Sequence, residues 1–265
     1  MAKLNAPFGF TGPIGNLSAY TMKGVEGIVI RQKGGASKDV IKQSPRFKNT
    51  RAANAEFGGR SKAGCGVRRA LHQQLFMADY NVSGPINALM KPAQEQDSGN
   101  PFGRRSVLLS KCAGLLDGFS FNRDTPLDTI VRTPFAYTLS RETLSAHVSV
   151  PSLRPGVNFN TKEKYPYYGF VVSLGIAPDL FWNGSEYTPS PLVNTDGREV
   201  VVQTAWYPVL QGSPALELDI RHTVTPADQS FMLILSVGLC FGTTRDGNST
   251  EWVFGTGAAK ILASA

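Results

Sequence analysis

The second half of the chain alternates between short apolar stretches and clusters of turn-forming residues. Eight stretches are predicted to be strands: residues 119–122, 135–139, 143–150, 167–176, 198–206, 215–222, 230–242 and 252–262. The stretch 231–241 is apolar at almost every position, which predicts a central strand covered on both faces. Because no helical period appears among these strands, we predict an antiparallel β-sandwich, Ig-like or jelly-roll-like, over residues 117–265.

A helical segment is predicted for residues 44–116. Ser44 followed by Pro45 is typical of a helix N-terminus, and the first predicted helix continues to about residue 77. Its apolar stripe is expected to contain Phe47, Asn54, Phe57, Ser61, Cys65, Leu71 and Leu75. The four glycines between positions 58 and 66 predict either a break or close helix packing. Asn100 and Pro101 repeat the start signal and predict a second helix to about residue 116.

Residues 1–43 are predicted to form an N-terminal arm. Residues 17–22 and 28–31 have the pattern of two strands, and the lysine and glycines between them predict a hairpin turn. A lone hairpin is marginally stable in water, so it must dock in its own subunit or in another. The arm residues expected to carry assembly are Gly12, Gly15, Leu17, Ala19, Tyr20, Ile28 and Ile30. The whole chain is therefore predicted to be α+β and mainly β.

Charge is divided unevenly along the chain. Residues 1–70 hold 13 basic and three acidic residues, whereas the remainder holds 14 basic and 17 acidic residues. Such a basic segment favours either nucleic acid or a complementary surface on another copy of the chain as its partner. The basic face of the first helix is expected to consist of Arg46, Lys48, Arg51, Arg60, Lys62, Arg68 and Arg69.

The sequence contains no recognisable catalytic constellation. The three histidines, His72, His147 and His222, lie far apart, and none has a second ligand at metal-binding spacing. Glu217 and Asp219 share a predicted strand face, which is typical of a solvated surface. No nucleophile elbow or phosphate-binding loop occurs in its usual strand and helix context. The sequence therefore predicts no enzymatic activity, no cofactor and no metal site.

Membrane insertion and ordinary secretion are not indicated. The longest apolar run, 231–241, is too short for a transmembrane helix, which needs about 20 residues. The first ten residues lack the apolar core of a secretory signal. Five positions match glycosylation sequences: Asn16, Asn81, Asn183 and Asn248 for N-linked sugars, and Thr129 for the O-linked type used by Bacteroidota.

The opening of the chain has a distinctive pattern. It reads Gly-Pro-Ile-Gly-Asn-Leu-Ser-Ala-Tyr over 12–20, then Lys-Gly at 23–24 and Ile-Arg at 30–31. These residues resemble the start of a Bacteroidota domain-of-unknown-function family, although Ala-Ser-Lys at 36–38 replaces the family's usual proline-containing loop. The resemblance implies a non-enzymatic protein without a signal sequence, and some members of this kind build extracellular fibrils. It favours an extracellular or cell-surface location.

These observations favour a structural subunit that assembles with copies of itself into a filament through its arm. One alternative is a bacteriophage virion protein of the tail or decoration type, which would place the chain in a virion. Another is a nucleic-acid-binding protein using the basic helix, although Phe47 and Phe57 are expected in the core rather than stacked on bases. Carbohydrate binding by exposed aromatic residues remains a further interpretation.

Overall fold

The computed structural model describes residues 2–4, 9–22, 25–191, 199–224, 226–244 and 249–265. The chain divides into two compact units, Met1–Arg51 and Ala52–Ala265. The sequence instead suggested three segments, 1–43, 44–116 and 117–265. Helices and strands after residue 51 form one unit because they share a core.

The first unit contains a small antiparallel sheet. Its elements are β1 (Ala2–Leu4), β2 (Gly12–Ile14), β3 (Leu17–Thr21), β4 (Ile28–Gln32) and the short helix α1 (Lys38–Gln43). The strand order is β1-β4-β3-β2, so the predicted hairpin of β3 and β4 forms and is flanked by two strands that the sequence pattern did not reveal. The turn residues 23–24 lie outside the described part.

The second unit begins with most of a long helix and continues into a large sheet, a three-stranded sheet and a two-stranded sheet. Its helices are α2 (Lys48–Ala70), α3 (Ser83–Glu95) and α4 (Leu127–Ile130). Its strands are β5 (Ala136–Ser140), β6 (Ser145–Val150), β7 (Tyr167–Pro178), β8 (Leu180–Trp182), β9 (Tyr187–Pro189), β10 (Glu199–Gln203), β11 (Tyr207–Pro208), β12 (Leu216–Arg221), β13 (Phe231–Thr244), β14 (Thr250–Trp252) and β15 (Ala258–Ser264). The protein is therefore mixed α+β and mainly strand, as predicted.

The larger sheet is built around β13. Its neighbours are β7 on one side and β15 on the other, with β14 pairing near its end, and β10 pairs with the far side of β7. Residues 231–242 are all buried. The prediction of a central strand is confirmed, because a strand that is apolar on both faces needs a cover on each.

The three-stranded sheet β12-β6-β5 covers one of those faces. Its inner residues, including Val148 and Ile220, share a core with Phe170 and Leu233 of the larger sheet. Its alternate residues, such as His147, point away from that core. The two antiparallel sheets thus pack as a β-sandwich, which is the predicted architecture.

Helices α2 and α3 cover the other face of the larger sheet. Val67, Ile86 and Met90 share a second core with Val171 and Met232 of that sheet. The helical segment after residue 51 therefore belongs to the same folded unit as the sandwich and is not a separate domain.

The buried face of α2 is the opposite of the one expected. Its buried residues are Glu56, Gly59, Ala63, Gly64, Val67 and Ala70. Phe57, placed in the predicted stripe, is 60% exposed. The helix lies so close to β9 that a Cβ built on Gly59 would come within 2.6 Å of the Tyr187 ring. Glycine and alanine therefore occupy the contact, and the helix continues without a break.

The predicted second helix over 101–116 does not form beyond one short turn at Leu109–Lys111. Carboxylates instead accept backbone amides in this segment and just before it. Asp97 accepts hydrogen bonds from the amides of Gly99, Asn100 and Ser106, at 3.0, 3.1 and 2.6 Å. Gly103 has a φ of +97°, which is outside the helical region. The segment is therefore a loop organised around acidic side chains.

Two predicted strands also differ from the structure. Residues 119–122 contribute only an isolated bridge, between Ser120 and Lys260. The stretch 252–262 is broken by a turn, which separates β14 from β15. Gly255 and Gly257 in this turn have φ values of +77° and +99°, so extended backbone is interrupted there.

Candidate functional site

The candidate assembly arm has a very thin core. Ala19 on β3 and Val29 on β4 are its buried apolar side chains within residues 9–22 and 25–51. Ala19 pairs with Ile30, whereas Val29 pairs with Tyr20, so the two buried side chains lie on opposite faces of the sheet. Leu17, also on β3, is 41% exposed. Within residues 9–22 and 25–51, neither face of the arm sheet therefore holds an extensive apolar core.

Two glycines of the arm adopt backbone conformations that favour glycine. Gly15, in the turn between β2 and β3, has a φ of +53°, and Gly12, at the start of β2, has a φ of +126°. Lys33 fastens this turn to the end of β4. Its ammonium donates a hydrogen bond to the Gly15 carbonyl at 2.9 Å, and its amide donates one to the Asn16 carbonyl at 2.6 Å.

Both edges of the arm sheet end in short strands, β1 and β2. Neither has a further strand partner among the described residues. Ile14 on β2 is 56% exposed, and Phe10 and Met22 in the adjoining loops are 41% and 38% exposed. An unpaired edge bordered by exposed apolar side chains can pair with another chain.

The predicted basic face is divided among several roles. Arg51 donates to the carbonyls of Ile41 and Ser44, at 2.7 and 2.8 Å, and so satisfies the end of α1. Arg68 donates to Asn87 Oδ1 on α3 at 3.1 Å. Lys62 donates to the Tyr187 carbonyl at 3.2 Å. Arg60 is half-buried, while Arg46, Lys48 and Arg69 are exposed. These seven side chains therefore do not act as one exposed cationic stripe.

One histidine and two carboxylates, which we call the histidine cluster, lie together on the outward face of the three-stranded sheet. His147 on β6 pairs with Asp219 on β12, and its two ring nitrogens lie 2.8 Å from Asp219 Oδ1 and 2.9 Å from Glu217 Oε2. The hydrogen bond to Asp219, aided by that to Glu217, raises the pKa of His147. The sequence predicted that these residues lie on strand faces. It did not predict their contact, because the register between β6 and β12 joins segments that are distant in the chain.

The candidate glycosylation positions within the described residues are all exposed. Asn16, Asn81, Thr129 and Asn183 lie in turns or at the end of a short helix. The Asn183 side-chain oxygen accepts the amides of Ser185 and Glu186 in its turn, at 3.0 and 2.9 Å. Asn248 lies outside the described residues.

Glu199 is a carboxyl group without an assigned role in the sequence pattern. It begins β10 and accepts the backbone amide of Gln73 with both oxygens, at 3.2 and 3.0 Å. Burial raises the pKa of Glu199 to about 7, although the hydrogen bonds from Gln73, Ser173 and His72 oppose the rise. The protonated form is therefore favoured in the folded protein more than in the unfolded chain.

This raised pKa predicts that the protein loses stability as the pH increases. The contribution of Glu199 is fully present below its unfolded value of 4.5 and is lost as the pH rises through about 7. The loss should be roughly 3 kcal/mol, and it should be missing from Glu199→Gln. Urea unfolding of both proteins across this pH range measures the difference. Stability curves that run parallel would contradict the assignment.

Comparison with known proteins gives no match to a family model, to a curated protein or to a solved structure. Within the described residues, no group of three or more histidine, cysteine, aspartate or glutamate side chains is arranged to hold a metal ion. The helices described there include none that is long and apolar enough to cross a membrane. The resemblance of the opening segment to a Bacteroidota family stays a prediction.

Proposed function

We propose that this protein is a structural subunit that assembles with copies of itself through its N-terminal arm. The observation that carries the proposal is the make-up of the arm. It lies within a compact unit, Met1–Arg51, in which Ala19 and Val29 are the only buried apolar side chains within residues 9–22 and 25–51. Large apolar side chains, among them Ile14 and Leu17, remain exposed on it. A sheet with so little core gains stability by burying such side chains against a neighbouring subunit.

The free edges of the arm suggest how the contact forms. Strand addition to a neighbour's sheet supplies main-chain hydrogen bonds in a defined register, and side chains beside the edge add specificity. Because the arm of one copy would contact a different surface on the next, the contact is heterologous. Such contacts produce open filaments unless the rotation between subunits closes a ring.

The excess positive charge of the first unit, which contains the arm, supports association between copies of the chain. Residues 1–51 contain nine basic and two acidic residues, whereas residues 52–265 contain 18 of each. A cationic arm facing carboxylates on a neighbour would raise the rate of encounter. The nucleic-acid alternative draws less support, because Arg51, Arg68 and Lys62 already donate to groups of their own chain.

Deletion of residues 1–33 tests the proposal. It removes β1 to β4, and the second unit keeps both of its cores, so we expect a folded protein that no longer forms polymers. Negative-stain microscopy and sedimentation velocity report the assembly, and circular dichroism reports the fold. The proposal fails if the shortened protein still assembles normally, or if the full chain stays monomeric at every concentration.

A pair of point variants separates the arm from general surface effects. Ile14→Asp places a charge on the exposed edge of the arm, where burial against a partner would leave that charge unpaired. Leu210→Asp makes the same kind of change at a turn of the second unit that is 91% exposed. We expect the first variant to abolish assembly and the second to leave it intact. Equal effects from both would point to solubility rather than to the arm.

A further inference from the structure

A small pocket opens between α2 and the strands that lie beside it. We call it the α2 pocket, and its volume is about 250 Å³. On the helix side it is lined by Lys62, Cys65, Gly66 and Arg69, whose spacing places them on one helix face. Gly66 contributes no side chain, so the space between the helix and Pro178 stays open: a Cβ built there would lie 3.9 Å from the proline ring.

The wall opposite the helix is apolar. Pro178 and Leu180 are buried at the end of β7 and on β8, and the buried ring of Tyr187 completes this side. Close packing of Gly59 against Tyr187 holds the helix and this wall at a fixed separation. The pocket therefore has a preformed apolar body, which is the usual basis of a small-molecule site.

The rim of the pocket carries two positive charges about 10 Å apart along the helix. Lys62 is already held by the Tyr187 carbonyl at 3.2 Å and by the Glu186 carboxylate at 3.4 Å. The Arg69 guanidinium is exposed and has no hydrogen-bond or ion-pair partner among the described residues. Arginine binds carboxylate, sulfonate and phosphate oxygens in a two-pronged geometry, so this group is the available anchor for an anion.

We propose that the α2 pocket binds a small amphiphilic anion, with its apolar body against Pro178 and Leu180 and its charged head on Arg69. The volume lies below the roughly 300–1,000 Å³ of sites for drug-sized ligands and therefore suits a short acyl chain or a single ring system. A free carboxylate and a lipid phosphate share this chemistry. The proposal is independent of self-assembly, because it uses no residue of the arm.

Octanoate and 1-naphthalenesulfonate, which has a single ring system, are suitable probes for the full-length protein. The sulfonate should bind saturably with a change in fluorescence, and octanoate should displace it. Octanol has the same chain without the charge, so we expect it to compete about tenfold less well. Octyl phosphate then distinguishes the two sources: stronger competition than octanoate indicates a lipid phosphate, and weaker competition indicates a free carboxylate.

Variants connect the binding to the pocket. Arg69→Gln should weaken both anions about tenfold, whereas Arg104→Gln, which removes an exposed arginine elsewhere, should not. Gly66→Leu should fill the pocket and abolish binding while circular dichroism stays unchanged. Octanoate should also slow maleimide labelling of Cys65. The proposal is overturned if octanol competes as well as octanoate, or if binding survives both Arg69→Gln and Gly66→Leu.

Discussion

Replacing Gly175 with alanine is expected to lower the free energy of unfolding of the second unit by about 3 kcal/mol or more. Gly175 lies on β7 under the C-terminal end of α2. A Cβ built there overlaps the carbonyl oxygen of Ala70 and lies 2.7 Å from its carbonyl carbon. Because the obstacle is helix backbone rather than the end of a flexible side chain, α2 must shift and its contacts with the sheet must loosen. Urea unfolding followed by circular dichroism measures the loss.

Gly66→Ala is the matched control for this prediction. Its added methyl group meets Pro178 at an ordinary contact distance of 3.9 Å, and alanine is the better helix former. We therefore expect Gly66→Ala to stabilise the protein by up to about 1 kcal/mol. Similar losses from both substitutions would show that close approach of α2 to β7 does not explain the need for Gly175.

The sequence predicted the β-rich unit well because its signals are local. An apolar run such as 231–241 needs cover on both faces wherever it lies, and the structure supplies that cover. On β12, Glu217 and Asp219 were predicted to share a solvated strand face, and both are exposed. These patterns do not show which strand pairs with which. The pairing of His147 with Asp219, which creates the histidine cluster, therefore could not be predicted from the sequence.

The orientation of α2 was predicted wrongly for a physical reason. Hydrophobic periodicity assigns the largest apolar side chains to the buried face, which would bury Phe57. The distance between α2 and the strands it packs against is instead small, and only small residues such as Gly59 and Ala63 fit between them. The closely spaced glycines were the feature of the sequence that indicated close packing of this helix. The same spacing leaves Cys65 and Arg69 facing a pocket rather than a core.

The predicted helix over 101–116 does not form, and two carboxylates, one local and one distant in sequence, accept backbone amides of this segment instead. Asn100 and Pro101 have the residue types of a helix start, but Asp97 and Glu56 accept the amides of this segment. Glu56 comes from α2, 47 residues before Gly103. A local pattern contains no information about such a partner, so a start signal alone overestimates helix here.

Replacing Glu56 with alanine is expected to cost about 3–5 kcal/mol of unfolding free energy. The Glu56 side chain is 4% exposed and accepts hydrogen bonds from Arg105 Nε at 2.6 Å, Arg105 Nη2 at 2.7 Å and the Gly103 amide at 3.0 Å. Alanine leaves the Arg105 guanidinium, with its side chain 24% exposed, without its counter-charge. Glu186→Ala is the control: its carboxylate is 63% exposed and lies 3.4 Å from Lys62, so its loss should cost less than about 1 kcal/mol.

The pH dependence of this penalty separates charge from packing. Burial raises the pKa of Glu56, but hydrogen bonds from Arg105 and Gly103 and the charges of Arg105 and Arg60 outweigh burial and hold it below 4.5. The stabilisation is therefore complete above 4.5, the unfolded value, and is lost as the pH falls through the lower folded value. The difference between Glu56→Ala and the unchanged protein should shrink in strongly acidic solution. A penalty that stays constant would mean that Glu56 acts through the packing of its side chain and not through its charge.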